Sequence, residues 1–307
     1  MKFFTAFIFL FIADTVFAQP QDIDRTINVD NRERQYLIHL PPSFNNASKF
    51  PVIFAFHGGG GGYKRTIRYY NLNHLADENG FIIVYPNAIN KAWSMSGVSS
   101  RVRNIDNSVD DVHFISSLVD YLIADYKIDS NRIFCTGISR GGIFSLFLAW
   151  QLSDRITAIA PVCASIPQAI ADEYSFKHPT PVLLINGTED PLISYNGGPG
   201  KMNAPNAGSE KANMLPTEEL VSKIAALNHC SAEPVVTHLA DADPGDGCTA
   251  TAYEYSCDAG QIEFIRIAGG GHTWPGGFQY LPKAIIGKVC NDFRAEEKIF
   301  AFFKNLK

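Results

Sequence analysis

After Ala18 the chain has no apolar run approaching the roughly 20 residues needed to cross a bilayer, so nothing in its body reads as a membrane span. Basic runs are missing too. Its 26 lysines and arginines against 31 aspartates and glutamates leave a formal net charge of −5, and a mildly acidic chain without cationic clusters lacks the footprint of a nucleic-acid binder. His39, His74, His113, His178, His229 and His238 stand at no metal-ligand spacing and read as surface or packing residues, so no metal is expected. No repeat and no linker divides the chain. Only 196–213, rich in Gly, Pro and Asn, departs from the pattern, and it reads as a long surface loop. The remainder reads as one domain over 19–307, and at 46% hydrophobic and 12% aromatic it has ample material for a single core.

What the chain does have begins with an address. Lys2 gives a positive start, an apolar run follows from Phe3 to Ile12, and Val16-Phe17-Ala18 offers small residues at the positions a signal peptidase reads. Residues 1–18 are therefore expected to be a signal peptide cut after Ala18, and the protein to be exported. The residue directly after the cut is Gln19 and not a cysteine, which argues against a lipid anchor. Six cysteines in an exported chain invite disulfides. Segments 234–239 and 249–256 read as two strands around the turn Asp243-Pro244-Gly245-Asp246-Gly247, and a hairpin centred there sets Cys230 opposite Cys257. Cys135 and Cys163 lie in apolar strand-like runs and read as buried fillers. No comparable register argument supports joining Cys248 to Cys290.

Along the body, strands and helices alternate. Thr26 to Leu40 reads as a hairpin turning at Asp30-Asn31, and PVIFAF (51–56), FIIVY (81–85), RIFCTG (132–137), 156–162, 181–186 and 261–267 read as buried strands. One helix is expected with Ile67, Leu72, Leu75 and Ala76 inward, stopped by Asn79-Gly80. Others are expected behind a capping box at Ser108 to Asp111, over 141–152, over 215–227 and at the end of the chain with Ile299, Phe300, Phe303 and Leu306 on one side. Asp110 and Asp111 read as capping carboxylates. This alternation predicts an α/β fold with a mainly parallel sheet and helices on both faces.

The chemistry concentrates where strands end. Gly137-Ile138-Ser139-Arg140-Gly141 is a G-x-S-x-G motif between an apolar strand and an apolar helix, the setting in which small neighbours let the backbone bend and expose a serine. Such a hydroxyl needs a base, and the base needs an orienting group. In this fold the chain order is Ser, then Asp or Glu, then His. Glu189 and Asp190 follow the strand PVLLIN, and His272 sits in a glycine-rich loop after the last strand. For the oxyanion of a tetrahedral intermediate, the backbone N–H groups of Arg140 and of Gly59, in the run His57 to Gly62, are the candidates. That run is not followed by Lys-Ser or Lys-Thr, so it does not read as a phosphate loop. Trp93 and Trp274 fall in loops at the same end of the sheet and are candidates for a substrate wall, with support of a neighbouring loop as the competing role.

In these segments the chain resembles exported α/β-hydrolase esterases, the group of polyhydroxybutyrate depolymerases and feruloyl esterases of carbohydrate esterase family one. The matching stretches are HGGGG (57–61), VDDVHF (109–114), IFCTGISRGG (133–142), INGTEDPLISYNGG (185–198) and GGGHTWPGG (269–277), in family order. The resemblance implies an α/β-hydrolase fold, Ser139 as nucleophile, His272 as base and acid, and Asp190 rather than Glu189 as the orienting carboxylate. It implies a serine esterase that needs no cofactor. The expected substrate is a hydroxycinnamoyl ester on plant polysaccharide, with polyhydroxyalkanoate as the alternative. A serine peptidase would usually carry a further propeller domain, and a non-catalytic binding module usually lacks a triad member. Arg140, a large cation where many relatives carry a small or neutral residue, and the stretch Gly200 to Lys211 are the departures.

Overall fold

Asp30 and Asn31 both adopt positive φ, 53° and 57°, as a two-residue hairpin turn requires to follow the twist of its strands. They join β1 (Gln21–Val29) to β2 (Arg32–Leu40) in the computed structural model of the chain, which describes residues 19–45, 47–95, 108–199, 213–258 and 260–306. The expected leader and most of the expected loop over 196–213 lie outside the described residues.

The continuous apolar runs form β3 (Phe50–Phe56), β4 (Ile82–Pro86), β6 (Ala158–Val162) and β7 (Val182–Gly187), every residue of which is buried, and β5 (Ile128–Ile138). A two-residue pair, β8 (Gly198–Pro199) with β9 (Asn213–Met214), stands apart. The second hairpin is β10 (Val235–His238) and β11 (Thr249–Tyr255), and β12 (Ile262–Ala268) is the last strand. Among the described residues these build one ten-stranded sheet in the order β1-β2-β4-β3-β5-β6-β7-β12-β11-β10. From β4 through β12 every neighbouring pair is parallel, and the antiparallel hairpins lie at the two edges. This is the α/β-hydrolase arrangement.

Side chains alternate across the sheet, so one strand feeds two cores. Val52, Phe54 and Phe56 join a cluster that includes Phe114, Leu118 and Leu122 of α3 (Asp111–Asp125), Phe144 and Leu148 of α4 (Arg140–Gln151), and Leu220 and Ile224 of α5 (Thr217–Leu227). Ile53 and Ala55 join the other, with Tyr70 of α1 (Tyr63–Tyr70), Ala76 of α2 (Asn73–Asn79) and Ile299, Phe300 and Phe303 of the last helix (Ala295–Asn305).

Two local expectations change. The helix expected through Ile67 and Ala76 is two helices, because Asn71 turns left-handed (φ 54°) and ends α1, a conformation asparagine tolerates. The cap of α3 is Asp110, which accepts from the His113 N–H at 2.9 Å. Asp111 is not a cap. It is fully buried, pairs with Arg34 and accepts from the Ser94 N–H at 2.6 Å. Burial pushes its carboxyl above the usual range against the pull of Arg34.

Cys230 and Cys257 are joined by a disulfide and form an isolated bridge beyond the β10–β11 ladder, which pairs Val235 with Glu254 and His238 with Thr251. The bond ties the end of α5 to the sheet edge. Cys135, Cys163, Cys248 and Cys290 are free and buried. A Cys230→Ser/Cys257→Ser variant should lose roughly 2–4 kcal/mol of unfolding free energy, read by urea denaturation. An unchanged midpoint would show that the edge is held by the ladder alone.

Candidate active site

Ser139 sits between β5 and α4 with φ 58° and ψ −125°, a region that costs a non-glycine residue about 1–3 kcal/mol. The surroundings enforce it. A Cβ on Gly141 would collide with the Phe56 carbonyl oxygen, and one on Gly137 would stand 2.6 Å from the same atom. The backbone is held on both sides: Ser139 N–H donates to Val162 O at 2.9 Å, and Ile143 N–H donates to Ser139 O at 2.9 Å. Beside the turn the buried Tyr70 hydroxyl donates to Phe56 O at 2.7 Å and accepts from Ile138 N–H at 2.8 Å.

Asp190 and His272 follow the adjacent parallel strands β7 and β12. Asp190 Oδ1 accepts from the N–H groups of Leu192 and Ile193, each at 2.8 Å, so its carboxylate is aimed by its own loop. Oδ2 stands 2.7 Å from His272 Nδ1, both side chains 2% exposed. Bound this way, Nδ1 carries the proton toward Asp190 and Nε2 is left for proton exchange. Glu189, the rival carboxylate, is exposed, 3.6 Å from Lys288 Nζ. The His272 loop leans on a following strap: His272 N–H donates to Ile286 O at 2.6 Å and Gly271 N–H to Lys288 O at 2.9 Å.

Two strands, β6 and β7, separate β5 from β12, so at about 4.8 Å per strand roughly 14 Å of sheet lies between the strand ends that carry Ser139 and His272, and the His272 loop leans over it toward β5. Two contacts carry it across. Cys163, one residue past β6, has φ 49°, and its Sγ donates to Thr273 O at 3.3 Å. Trp274 lies flat on Tyr70, ring centroids 4.1 Å apart and planes within 3°. Tyr70 thus touches the serine turn with its hydroxyl and the histidine loop with its ring.

Cys163 is therefore more than a strand filler. Its thiol is held well above its usual pKa by burial and by the Asp190 charge, so it remains an S–H donor. One donor atom each from Cys163, Asp190 and His272 lies within 4.8 Å of the others. Within this group His272 Nδ1 and Asp190 Oδ2 face each other at 2.7 Å, and Cys163 Sγ faces Thr273 O at 3.3 Å, so each member already has a partner in the chain.

Gly59 lies against Arg140: a Cβ on Gly59 would be 3.8 Å from Arg140 Cδ, and one on Gly58 would be 3.7 Å from Ser139 Cβ. The two segments that carry the expected donors thus lie side by side, and Arg140 N–H is in the first turn of α4, where helical amides have no partner of their own. Burial lowers the Arg140 guanidinium pKa from its ordinary value.

The tryptophans are not a wall. Trp93 and Trp274 are both 0% exposed. Trp93 Nε1–H donates to His57 O at 2.9 Å, and the indole stacks on Phe144 at 4.7 Å, which braces the glycine loop from beneath. Trp274 Nε1–H donates to Glu296 Oε2 at 3.1 Å. His57, in the same loop, accepts from Ala88 N–H at Nε2, and burial lowers its pKa, so it is a neutral structural imidazole. Aromatic rings do face solvent nearby, at Phe278 and Tyr280. The sequence reading passed over them, although two aromatics within nine residues of His272, in a loop without strand or helix period, were the available signal.

The family model described as "Putative esterase" matches residues 27–226. "Putative esterase NocK" of Nocardia uniformis subsp. tsuyamanensis is 30% identical over 86% of this chain and 77% of its own length. "Feruloyl esterase B" of Piromyces equi is 25% identical over 78% of this chain, which spans 42% of that protein. The solved acetyl xylan esterase of Aspergillus awamori superposes with a TM-score of 0.56 at 16% identity, over 83% of this chain and 94% of that one. The chain belongs to this esterase family, whose chemistry is carboxylic-ester hydrolysis.

Tyr70→Phe removes both hydrogen bonds beside the serine turn and leaves the Ile138 N–H buried without its partner. Unfolding free energy should fall by about 1–3 kcal/mol. kcat should fall on the order of 10- to 100-fold through a misplaced hydroxyl, with KM for a short-chain ester near wild type. A normal kcat in a destabilised variant would limit Tyr70 to packing.

Proposed function

We propose that the protein is an exported serine esterase that cleaves hydroxycinnamoyl esters of plant polysaccharide through an acyl-enzyme. The observation that carries the reading is the buried pair of Asp190 with His272 Nδ1, set in a loop that packs back toward the strained turn at Ser139. In this mechanism Ser139 Oγ gives its proton to His272 Nε2 as it attacks the ester carbonyl. The negative oxygen of the tetrahedral intermediate is received by the Gly59 and Arg140 N–H groups. His272 then passes the proton to the leaving alcohol oxygen, and the C–O bond breaks. Water, deprotonated by the same nitrogen, releases the acid and restores Ser139. Asp190 stays ionised throughout and holds the imidazole in one tautomer.

The substrate class draws support from the curated relatives named as feruloyl esterases, not from an aromatic wall at Trp93 and Trp274. Export draws support from the leader pattern of residues 1–18 and from the Cys230–Cys257 disulfide.

Ser139→Ala should abolish turnover of p-nitrophenyl acetate, and Asp190→Asn should lower kcat on the order of 10⁴-fold, while Glu189→Gln keeps activity near wild type. A normal Asp190→Asn with an impaired Glu189→Gln would reverse the carboxylate assignment. On natural-type esters, kcat/KM for methyl ferulate should exceed that for a hydroxybutyrate oligomer. The opposite order would replace the hydroxycinnamoyl reading with a polyhydroxyalkanoate one.

A further inference from the structure

The strip that follows the His272 loop leaves large apolar side chains in water: Phe278 is 46% exposed, Tyr280 38%, Leu281 43% and Ile285 49%. So dense a run of exposed apolar groups marks a contact surface more often than a chance feature. It is also rigidly built. Tyr69 stands between two rings, edge-on to Phe278 with centroids 5.0 Å apart and to Tyr280 at 5.2 Å. The Tyr69 hydroxyl accepts from Trp274 N–H at 2.8 Å, and the Tyr280 hydroxyl donates to the carbonyl of His272 itself at 3.3 Å. Gln279 Nε2–H closes the turn on Leu281 O at 2.7 Å and Gly287 O at 3.1 Å. The exposed rings are therefore fixed to the backbone of the proposed base.

The reaction decides which part of a substrate reaches them. The carbonyl carbon must meet Ser139 Oγ with its oxygen toward Gly59 and Arg140. The nitrogen that protonates the departing oxygen belongs to His272, so the alcohol lies on the His272 side. The strip is on that side. We propose that Phe278 and Tyr280, braced by Tyr69, form the subsite for the leaving alcohol, and that this alcohol is a sugar of a polysaccharide chain. The inference rests on the proposed esterase reading and extends it to the alcohol half of the substrate. Exposed aromatic rings offer flat apolar faces to the C–H faces of sugars, and the Arg68 guanidinium, 5.3 Å from the centre of the Phe278 ring, places N–H donors beside them for the hydroxyls.

The test holds the acyl group constant and changes the alcohol: a feruloylated arabinoxylan oligosaccharide against methyl ferulate. In Phe278→Ala and Tyr280→Ala the ratio of kcat/KM for the sugar ester to that for the methyl ester should fall roughly five- to tenfold. Tyr280→Phe, which keeps the ring and loses the contact to His272, should hold the wild-type ratio. Equal losses on both esters would overturn the subsite and reduce the strip to support of the His272 loop. A second measurement separates the subsite from the acyl specificity: binding of an unsubstituted arabinoxylan oligosaccharide to the Ser139→Ala protein, measured by calorimetry. Binding that Phe278→Ala weakens supports the subsite, even in an enzyme that turns over neither ferulate. No binding at any attainable concentration, in an enzyme that hydrolyses methyl ferulate, would overturn the subsite and leave the esterase reading standing.

Discussion

The serine turn exists because backbone lies directly on backbone. Gly141 at the start of α4 rides against the Phe56 carbonyl at the end of β3, with no room for a side chain between them, and that contact forces the chain between β5 and α4 through the left-handed conformation at Ser139. The same carbonyl receives the Tyr70 hydroxyl. One atom thus anchors the strand that precedes the glycine loop, the turn that presents the serine and, through the Tyr70 ring, the tryptophan two residues past His272. Preorganisation of this kind keeps reacting groups in place without reorganisation during the reaction. It also explains why two large indoles near the site are spent on support.

Much of this was legible in the sequence, and for identifiable reasons. Strands buried on both faces must be apolar at nearly every position, and β3, β4, β6 and β7 are. The G-x-S-x-G spacing reports a backbone constraint, so it survives as a pattern of glycines. Ser139, Asp190 and His272 follow β5, β7 and β12, which keep their chain order across the sheet, and the structure pairs Asp190 with His272. The hairpin register put Cys230 opposite Cys257 because pairing about a turn is arithmetic, and the structure joins the two.

What stayed hidden depends on contacts between residues far apart in the chain. Asp111 looked like a cap because its neighbours fit a capping box. Its partner Arg34 lies 77 positions away, and no local pattern points to it. Tyr69 meets Trp274 across 205 positions. Whether a loop tryptophan faces substrate or core is set by such distant partners, which is why the sequence leaves Trp93 and Trp274 between a wall and a loop support and the structure makes them supports. Cys163 read as filler for a related reason: its role depends on the one residue by which it overshoots β6, which lets its thiol reach Thr273.

The proposed reaction requires Ser139 to be a nucleophile activated by His272 and Asp190. Its most direct test is labelling of the folded protein with a fluorophosphonate, followed by peptide mapping of the adduct. A single stoichiometric adduct on Ser139 is expected, formed rapidly in the wild type and orders of magnitude more slowly in His272→Ala. A folded protein that takes up no label, or carries it on a different serine, would contradict it.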